Sequence, residues 1–396
     1  MATSFILSGA DDLAVGLSPL TNNTLPRWGQ PPWTIDFRPQ TPLLPDRVDI
    51  AIVGGGFSGL CAAANIRRFD SGKTVALFEA ENIGARSSGH TGGLALAETA
   101  AGNLPGLGDV LGGVSNLLRD LQIDCDLRLP GAWELDRTTS ASDSPVRWSD
   151  TGELRVAKEV PGGTLDAGKL VSGLARAAEA AGAAIFEYAR VENVDFGEPP
   201  VLHVRDKRVR ADRVLFATNS ESLELTGLAG HAEPKLTLAL ATEPLPDQTL
   251  KALGLDAGKP CYTTDLPYLW GRLLHGHQII FGSGLVEVDT WKDLVSIEVG
   301  SGRAFELMSS LQMRVSGLHP SLQNVKFSHR WGGPILIADQ GRPVFARHPK
   351  NSRSIVLGAY SGHGVALSVY LGAWAAQALL QKRELPIWNA RSGAAK

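Results

Sequence analysis

The stretch VDIAIVGGGFSGLCAAANIRR (48–68) places glycines at positions 54, 56 and 59 between an apolar run and an alanine-rich one. Glycine loses more backbone freedom on folding than any other residue, so three at this spacing imply that something uses the room they leave. In G-x-G-x-x-G after a strand and at the start of a helix, Gly54 permits the tight turn. Gly56 admits a pyrophosphate close to the backbone, and Gly59 lets helix pack on strand. The helix N-terminus adds unpaired N–H groups and partial positive charge. Glu79 ends the next apolar run, KTVALFEA, about twenty residues later, where an acid accepts ribose hydroxyls. Together these features predict a dinucleotide site that disfavours a 2′-phosphate.

Three further features favour a flavin over a nicotinamide, one being VLFATNS (214–220), whose small polar ending suits a strand end near the nucleotide. GARSSGHTGG (84–93) follows the acid, so Arg86, Ser87 and Ser88 can reach back to the pyrophosphate while Gly92 and Gly93 let a ring lie on backbone. Near the far end of the chain, GAYSGHGVALS (358–368) is another strand–glycine turn–helix. Its helix N-terminus suits the pyrimidine edge of an isoalloxazine, which bears negative charge when reduced. No Ser/His/Asp or Cys/His set is visible. His275 and His277 form H-x-H in a turn-like segment with no acid close in sequence, which argues against a metal site.

The elements that must position these groups read as follows. VDIAIVG, SGLCAAANIRRF and KTVALFEA make a βαβ unit, with strands apolar on both faces as parallel strands are. Residues 82–97 read as a polar loop and 107–127 as helical. TLDAGKLVSGLARAAEAAG reads as a helix capped by Asp166 and closed by Gly182. Strands follow around AAIFEYARVENVDF, PVLHVRDKRVR and ADRVLFATNS. Residues 235–330 alternate as an antiparallel sheet with one covered face, and DLVSIEVGSGRAFELMSSLQMRV reads as helical within them. SRSIVLGAY and SGHGVALSVYLGAWAAQALLQ close the chain as strand and helix.

The predicted class is α/β: a discontinuous Rossmann-like dinucleotide domain carrying an inserted mixed or antiparallel-sheet lobe. Residues 1–46, with Trp28 and Trp33, read as an arm over the surface. Residues 47–127, 160–230 and 330–396 are assigned to the dinucleotide domain, and 128–159 with 231–329 to the lobe.

Of the 396 residues, 38 are basic and 41 acidic, a formal net charge of −3 that gives no reason to expect nucleic acid or an anionic membrane as partner. The basic run RDKRVRADR alternates with apolar residues and reads as the wet face of a hairpin. The three cysteines, Cys61, Cys125 and Cys261, lack the number and spacing of a disulfide framework. With no signal peptide and no spanning segment recognised, a cytoplasmic setting is expected. Oligomeric state is not legible.

The chain resembles the FAD-dependent amine and amino-acid oxidoreductases of the D-amino-acid oxidase superfamily, which holds glycine, sarcosine and γ-glutamylputrescine oxidases. The resemblance rests on DIAIVGGGFSGL, VALFEAENIGARSSGHTGG, LQIDCDLRLPGAWEL, TLDAGKLVSGLARAAEAAGAAIFEYARV, RADRVLFATNS, WGGPILIADQGRPVFAR and GAYSGHGVALSVYLG. The N-terminal arm is most similar to the γ-glutamylputrescine oxidase branch. The resemblance implies FAD, with Gly54, Gly56 and Gly59 at the pyrophosphate and Glu79 at the adenosine ribose. It places Arg86, Ser87, Ser88 and the loop through Gly93 along pyrophosphate and flavin, and Val191 at adenine. Gly332, Gly362, His363, Gly364 and Val365 would line the isoalloxazine. His90 stands where many relatives carry Arg. Some relatives attach flavin through a histidine of this loop, so a covalent link and a plain hydrogen bond both stay open for His90.

The implied activity is oxidation of a C–N bond of an amine or amino acid, with O2 as acceptor. The alternatives are a dehydrogenase passing electrons to a quinone or flavoprotein, and a flavin-bearing assembly protein with little turnover. His363 is the candidate beside the reacting atoms. On the substrate side the candidates are Tyr268, Trp270, Arg272, Trp331 and Arg342: aromatic rings to cage an amine, arginine to pair a carboxylate. Tyr268 and Trp270 also read as strand core, and Arg342 as a solvated turn residue.

Overall fold

The computed structural model describes residues 27–40, 43–139 and 141–389. The strand Arg47–Val53 lies inside a sheet whose order runs Val344–His348, Asn351–Gly358, Lys207–Phe216, Arg47–Val53, Val75–Phe78, Ala184–Phe186. Every pairing along it is parallel except the first. Ile50 and Ile52 point into one apolar cluster, Val48, Ala51 and Val53 into another, so both faces are covered. The helix Phe57–Phe69 packs against the helices Ala167–Ala180 and Gly364–Leu379 on the first face. Full burial of side chains such as its Leu60 and Ile66 contributes about 1.5–3 kcal/mol each. Val201–Val204 and Lys207–Phe216 form a hairpin in which Arg205, Arg208 and Arg210 are exposed while Val209 and Ala211 are buried, the wet face that the RDKRVRADR pattern predicts.

The second sheet runs Phe327–Ala338, Ala232–Thr242, Ile279–Glu287, Trp270–Leu273, Cys261–Thr263, Ala132–Asp136, Glu153–Val160, Trp148–Ser149. All its pairings are antiparallel except Cys261–Thr263 with Ala132–Asp136. Its period-2 alternation sends Leu236, Leu238 and Leu240 into a core and leaves Thr237 and Ala239 on a cavity. The helix Gly302–Gly317 meets that core through Ala304, Met308, Leu311 and Val315, one helical face.

One cross-strand row shapes the cavity. Glu134 pairs with Tyr262, Tyr262 with Trp270, Trp270 with Gly282, Gly282 with Ala239, and Ala239 with Trp331. All but Gly282 line the cavity.

Several expectations need correction. The arm does not stay on the surface: Trp28 is 4% and Trp33 8% exposed, in two different cores. Each indole brings a large apolar area and one N–H that needs an acceptor, and each finds both inside: Trp28 Nε1 donates to Leu294 O, Trp33 Nε1 to Gly89 O. The arm's first 26 residues lie outside the described residues. The loop at 82–97 contains a helical turn, Ser87–His90, and a short strand, Leu94–Leu96. The helical reading of 293–315 breaks into Trp291–Leu294 and Gly302–Gly317, because Gly302 turns the chain with φ +55°. The helix within 107–127 is confined to Val110–Asp120. The strand from 183 is interrupted between Ala184–Phe186 and Val191–Asp195, where Tyr188 takes φ +52°. No helix among the described residues is long and apolar enough to cross a membrane.

Candidate functional site

Two adjoining hollows lie at the carboxyl ends of the parallel strands. The smaller, about 80 Å3, is lined by Gly54–Gly56, Glu79, Arg86–Ser88, Arg190, Val191 and Glu221. The larger, about 550 Å3, runs from Gly56 and Ser88 to Gly362–Val365 and the second sheet. Gly56, Ser87, Ser88, Ala217 and Asn219 border both.

The glycine turn is built by close approach. Gly54 has φ +111°, and a β-carbon there would fall 2.6 Å from the Ala217 carbonyl oxygen. The helix that follows has no acid in its first turn, so its positive end stays available to an anion. Ser88 Oγ accepts from Phe57 N at 2.9 Å, tying the second loop to that helix. Glu79 is oriented by two backbone donors, Gly55 N at 2.7 Å and Glu81 N at 2.9 Å, one to each carboxylate oxygen. Burial pushes its carboxyl up, against those N–H groups and Arg86.

Arg86 lines the smaller hollow while committed to protein partners. It pairs with Glu81 and Glu221, each at 2.5 Å, and stacks over Trp28. Glu221, which the sequence reading passed over, is buried; burial raises its carboxyl, and Arg86 and Arg190 oppose this. Its signal was a polar run at the end of a parallel strand. Asn219, in the polar end of VLFATNS, joins three segments: Oδ1 accepts from Ala359 N at 3.0 Å and Nδ2 donates to Ser87 Oγ at 3.1 Å, while Ser87 Oγ donates to Pro334 O.

The turn Ser87–His90 leaves carbonyls at its end, as every helical end does. Gly89 O receives the Trp33 indole and His90 O the Trp331 indole. His90 Nδ1 lies 2.7 Å from Gly332 O, and a carbonyl only accepts, so Nδ1 carries the proton. Burial and Arg86 hold this imidazole below its usual pKa, and it is neutral at pH 7. His363 caps the last helix; its Nδ1 faces Ser361 O at 3.2 Å, and burial lowers its pKa while Glu98 opposes. Ala359, Ser361 and Gly362 all have positive φ in this turn, the kind of tension that tight functional turns store.

On the second sheet Tyr268 and Trp270 both line the larger cavity. The Tyr268 hydroxyl is 2.9 Å from Thr237 Oγ1 and donates to Gly284 O, and burial pushes its pKa up to about 12. Arg272 and Arg342 do not line it. Arg272 is buried behind the loop, with Nε donating to Gly92 O, and burial draws its pKa down to about 10. Arg342 ends the turn Asp339–Gly341. Gly332 turns toward Leu236, and Gly333 faces the cavity in its place. Gly92 lines the cavity, whereas Gly93 lies against the Arg272 guanidinium. His275 and His277 do have acids nearby, Asp126 and Asp247, but one each. Glu98, Glu134, Tyr262 and Tyr360 also line the cavity and were not singled out from sequence.

A family model described as FAD dependent oxidoreductase matches residues 49–378. The chain is 26% identical to a probable oxidoreductase OrdL of Rhizobium meliloti, covering 88% of this chain and 87% of that one. It is 24% identical to the γ-glutamylputrescine oxidoreductase of Escherichia coli, over 84% and 83%. Its fold matches the crystal structure of glycine oxidase from Geobacillus kaustophilus with TM-score 0.66 and 19% identity, over 86% and 96%.

Proposed function

Because the chain belongs to the FAD dependent oxidoreductase family, and so is a FAD-dependent oxidoreductase of the amine and amino-acid oxidase type, we propose that it oxidises a C–N bond of an amine or amino acid with O2 as acceptor. The observation that carries this reading is the continuity of the two hollows between the Gly54 turn and the Gly362 turn. The residues present fit the cofactor. The glycine cradle leaves no room for a β-carbon at Gly54, the first helix offers an acid-free N-terminus, and Glu79 is aimed by two backbone donors. Gly54, Gly56 and Ser88 would hold the pyrophosphate, Glu79 the ribose and Val191 the adenine, while Gly59, which lines neither hollow, lets the helix pack against the Gly54 turn and Ile52. FAD supplies the two-electron acceptor that the side chains lack.

The chain's own groups then have three tasks. The helix Gly364–Leu379 has no acid in its first turn and begins on the larger cavity, where its positive end would stabilise negative charge on a bound flavin. His363, with Nδ1–H directed at the Ser361 carbonyl, keeps the Nε2 lone pair for the proton that a substrate ammonium must lose. Trp270 and Leu269 exclude water and hold the reacting carbon in place. His90 is held through its Nδ1–H bond to Gly332, a role that needs no covalent link to the cofactor. Fluorescence migrating with the denatured polypeptide on a gel would instead mark such a link.

The test is aerobic turnover with amines, N-methyl amino acids and D-amino acids. It should yield peroxide together with one carbonyl product and one released amine per substrate. Reduction of an artificial dye without peroxide would transfer the activity to a dehydrogenase.

A further inference from the structure

Among the described residues the charged side chains on the wall of the larger cavity are Glu98 and Glu134, and no lysine or arginine lines it. The two arginines nominated from sequence to meet a carboxylate lie elsewhere, Arg272 behind the Gly92 backbone and Arg342 at a turn. A substrate carboxylate here would be desolvated with no cation to pair it, beside two acids, which is strongly unfavourable.

The acids are placed for a cation. Glu134 and Tyr262 are register partners on parallel strands, and the Tyr262 hydroxyl is 3.4 Å from Glu134 Oε2. Trp270 is the next residue in the same row. Lys158, on the exposed side, reaches Glu134 at 3.3 Å and offsets part of its charge. Glu98 makes no hydrogen bond or ion pair among the described residues. Its field nevertheless reaches both sides of the cavity: it helps raise Tyr262, which burial and Glu134 push up to about 12, and it favours a proton on His363. An ammonium group at this end would gain a carboxylate partner and an aromatic face together.

We infer that the cavity selects an amine whose second positive charge lies away from the reacting nitrogen, an α,ω-diamine or its N-substituted form, held by Glu98, Glu134 and the Tyr262 ring. This inference rests on the C–N oxidation reading and narrows its substrate class.

Three probes with one amine end and different far ends test it on the FAD-loaded protein: 1,4-diaminobutane, n-butylamine and 4-aminobutanoate. Anaerobic flavin reduction is followed against probe concentration, and perturbation of the oxidised flavin band reports binding separately. The diamine should reduce the flavin at least tenfold more efficiently than butylamine, and butylamine more efficiently than 4-aminobutanoate. Glu98→Gln should erase the diamine's advantage over butylamine, read as a rise in the diamine's half-saturating concentration. Glu134→Gln should reduce the advantage less, because Lys158 already offsets that charge. The inference is overturned if 4-aminobutanoate, sarcosine or D-alanine matches the diamine, or if both variants keep the wild-type order; C–N oxidation then stands without it. If dithionite bleaches the flavin and no amine or amino acid does, both fall together.

Discussion

The Trp270 indole lies directly over Gly282, its partner on the neighbouring strand: a β-carbon at Gly282 would fall 2.0 Å from Trp270 Cζ2. The same ring also meets Gly92 of the loop that follows Glu79, where a β-carbon would lie 2.4 Å from Cη2. A glycine from each part of the fold therefore makes room for one tryptophan, and the ring joins the sheet to the loop.

Gly282→Val should push the indole into the cavity. Overpacking of this kind costs about 1–3 kcal/mol, and here much of it should appear in substrate affinity. KM is expected to rise about tenfold while FAD content, read from the visible spectrum, stays at the wild-type level.

Gly54→Ala acts at the other end. The residue would have to hold φ +111° and place a methyl 2.6 Å from Ala217 O. Backbone tension of this kind costs about 1–3 kcal/mol, and its relief would move the turn away from where the proposed FAD phosphates would bind. FAD affinity, measured by fluorescence quenching on titration, is expected to fall at least tenfold.

Trp33→Phe should keep the edge contact with Trp331 but lose the N–H donated to Gly89 O. A helical-end carbonyl left buried and unpaired costs about 1–3 kcal/mol. Calorimetry should show a lower Tm, and FAD should leave faster because Ser88 moves with that turn.

Acid should act through His90. Its folded-state pKa is below the usual 6.5, chiefly through burial. As the pH falls through that value the unfolded chain takes up a proton that folded His90 refuses, so stability is lost. The loss ends below the folded-state pKa. Glu79 and Glu221, raised by burial, act in the opposite sense in acid, so the comparison needs a matched variant. His90→Asn keeps a donor for Gly332 O and cannot titrate. Its Tm deficit relative to wild type should shrink from about pH 8 to about pH 5.5.

The parts legible in sequence were those whose signal is local. Gly54, the apolar strand before it and Glu79 lie within one βαβ unit, and Asp166 caps its helix through Lys169 N, three residues on. Tyr262 and Glu134 are 128 residues apart and meet only because two strands pair in parallel. Arg86 read as reaching the pyrophosphate, because its partners Glu221 and Trp28 are remote in the chain. Trp28 and Trp33 read as surface arm because nothing nearby in sequence reveals the Leu294 and Gly89 carbonyls that receive them.

The most direct measurement is an anaerobic titration of the FAD-loaded protein with 1,4-diaminobutane, recorded across the visible spectrum. The expected result is complete bleaching at one equivalent of amine per flavin, with one equivalent of 4-aminobutanal or the cyclic imine that it closes to. A flavin that stays oxidised with this amine and with every other amine or amino acid tried, yet is bleached by dithionite, would contradict the account.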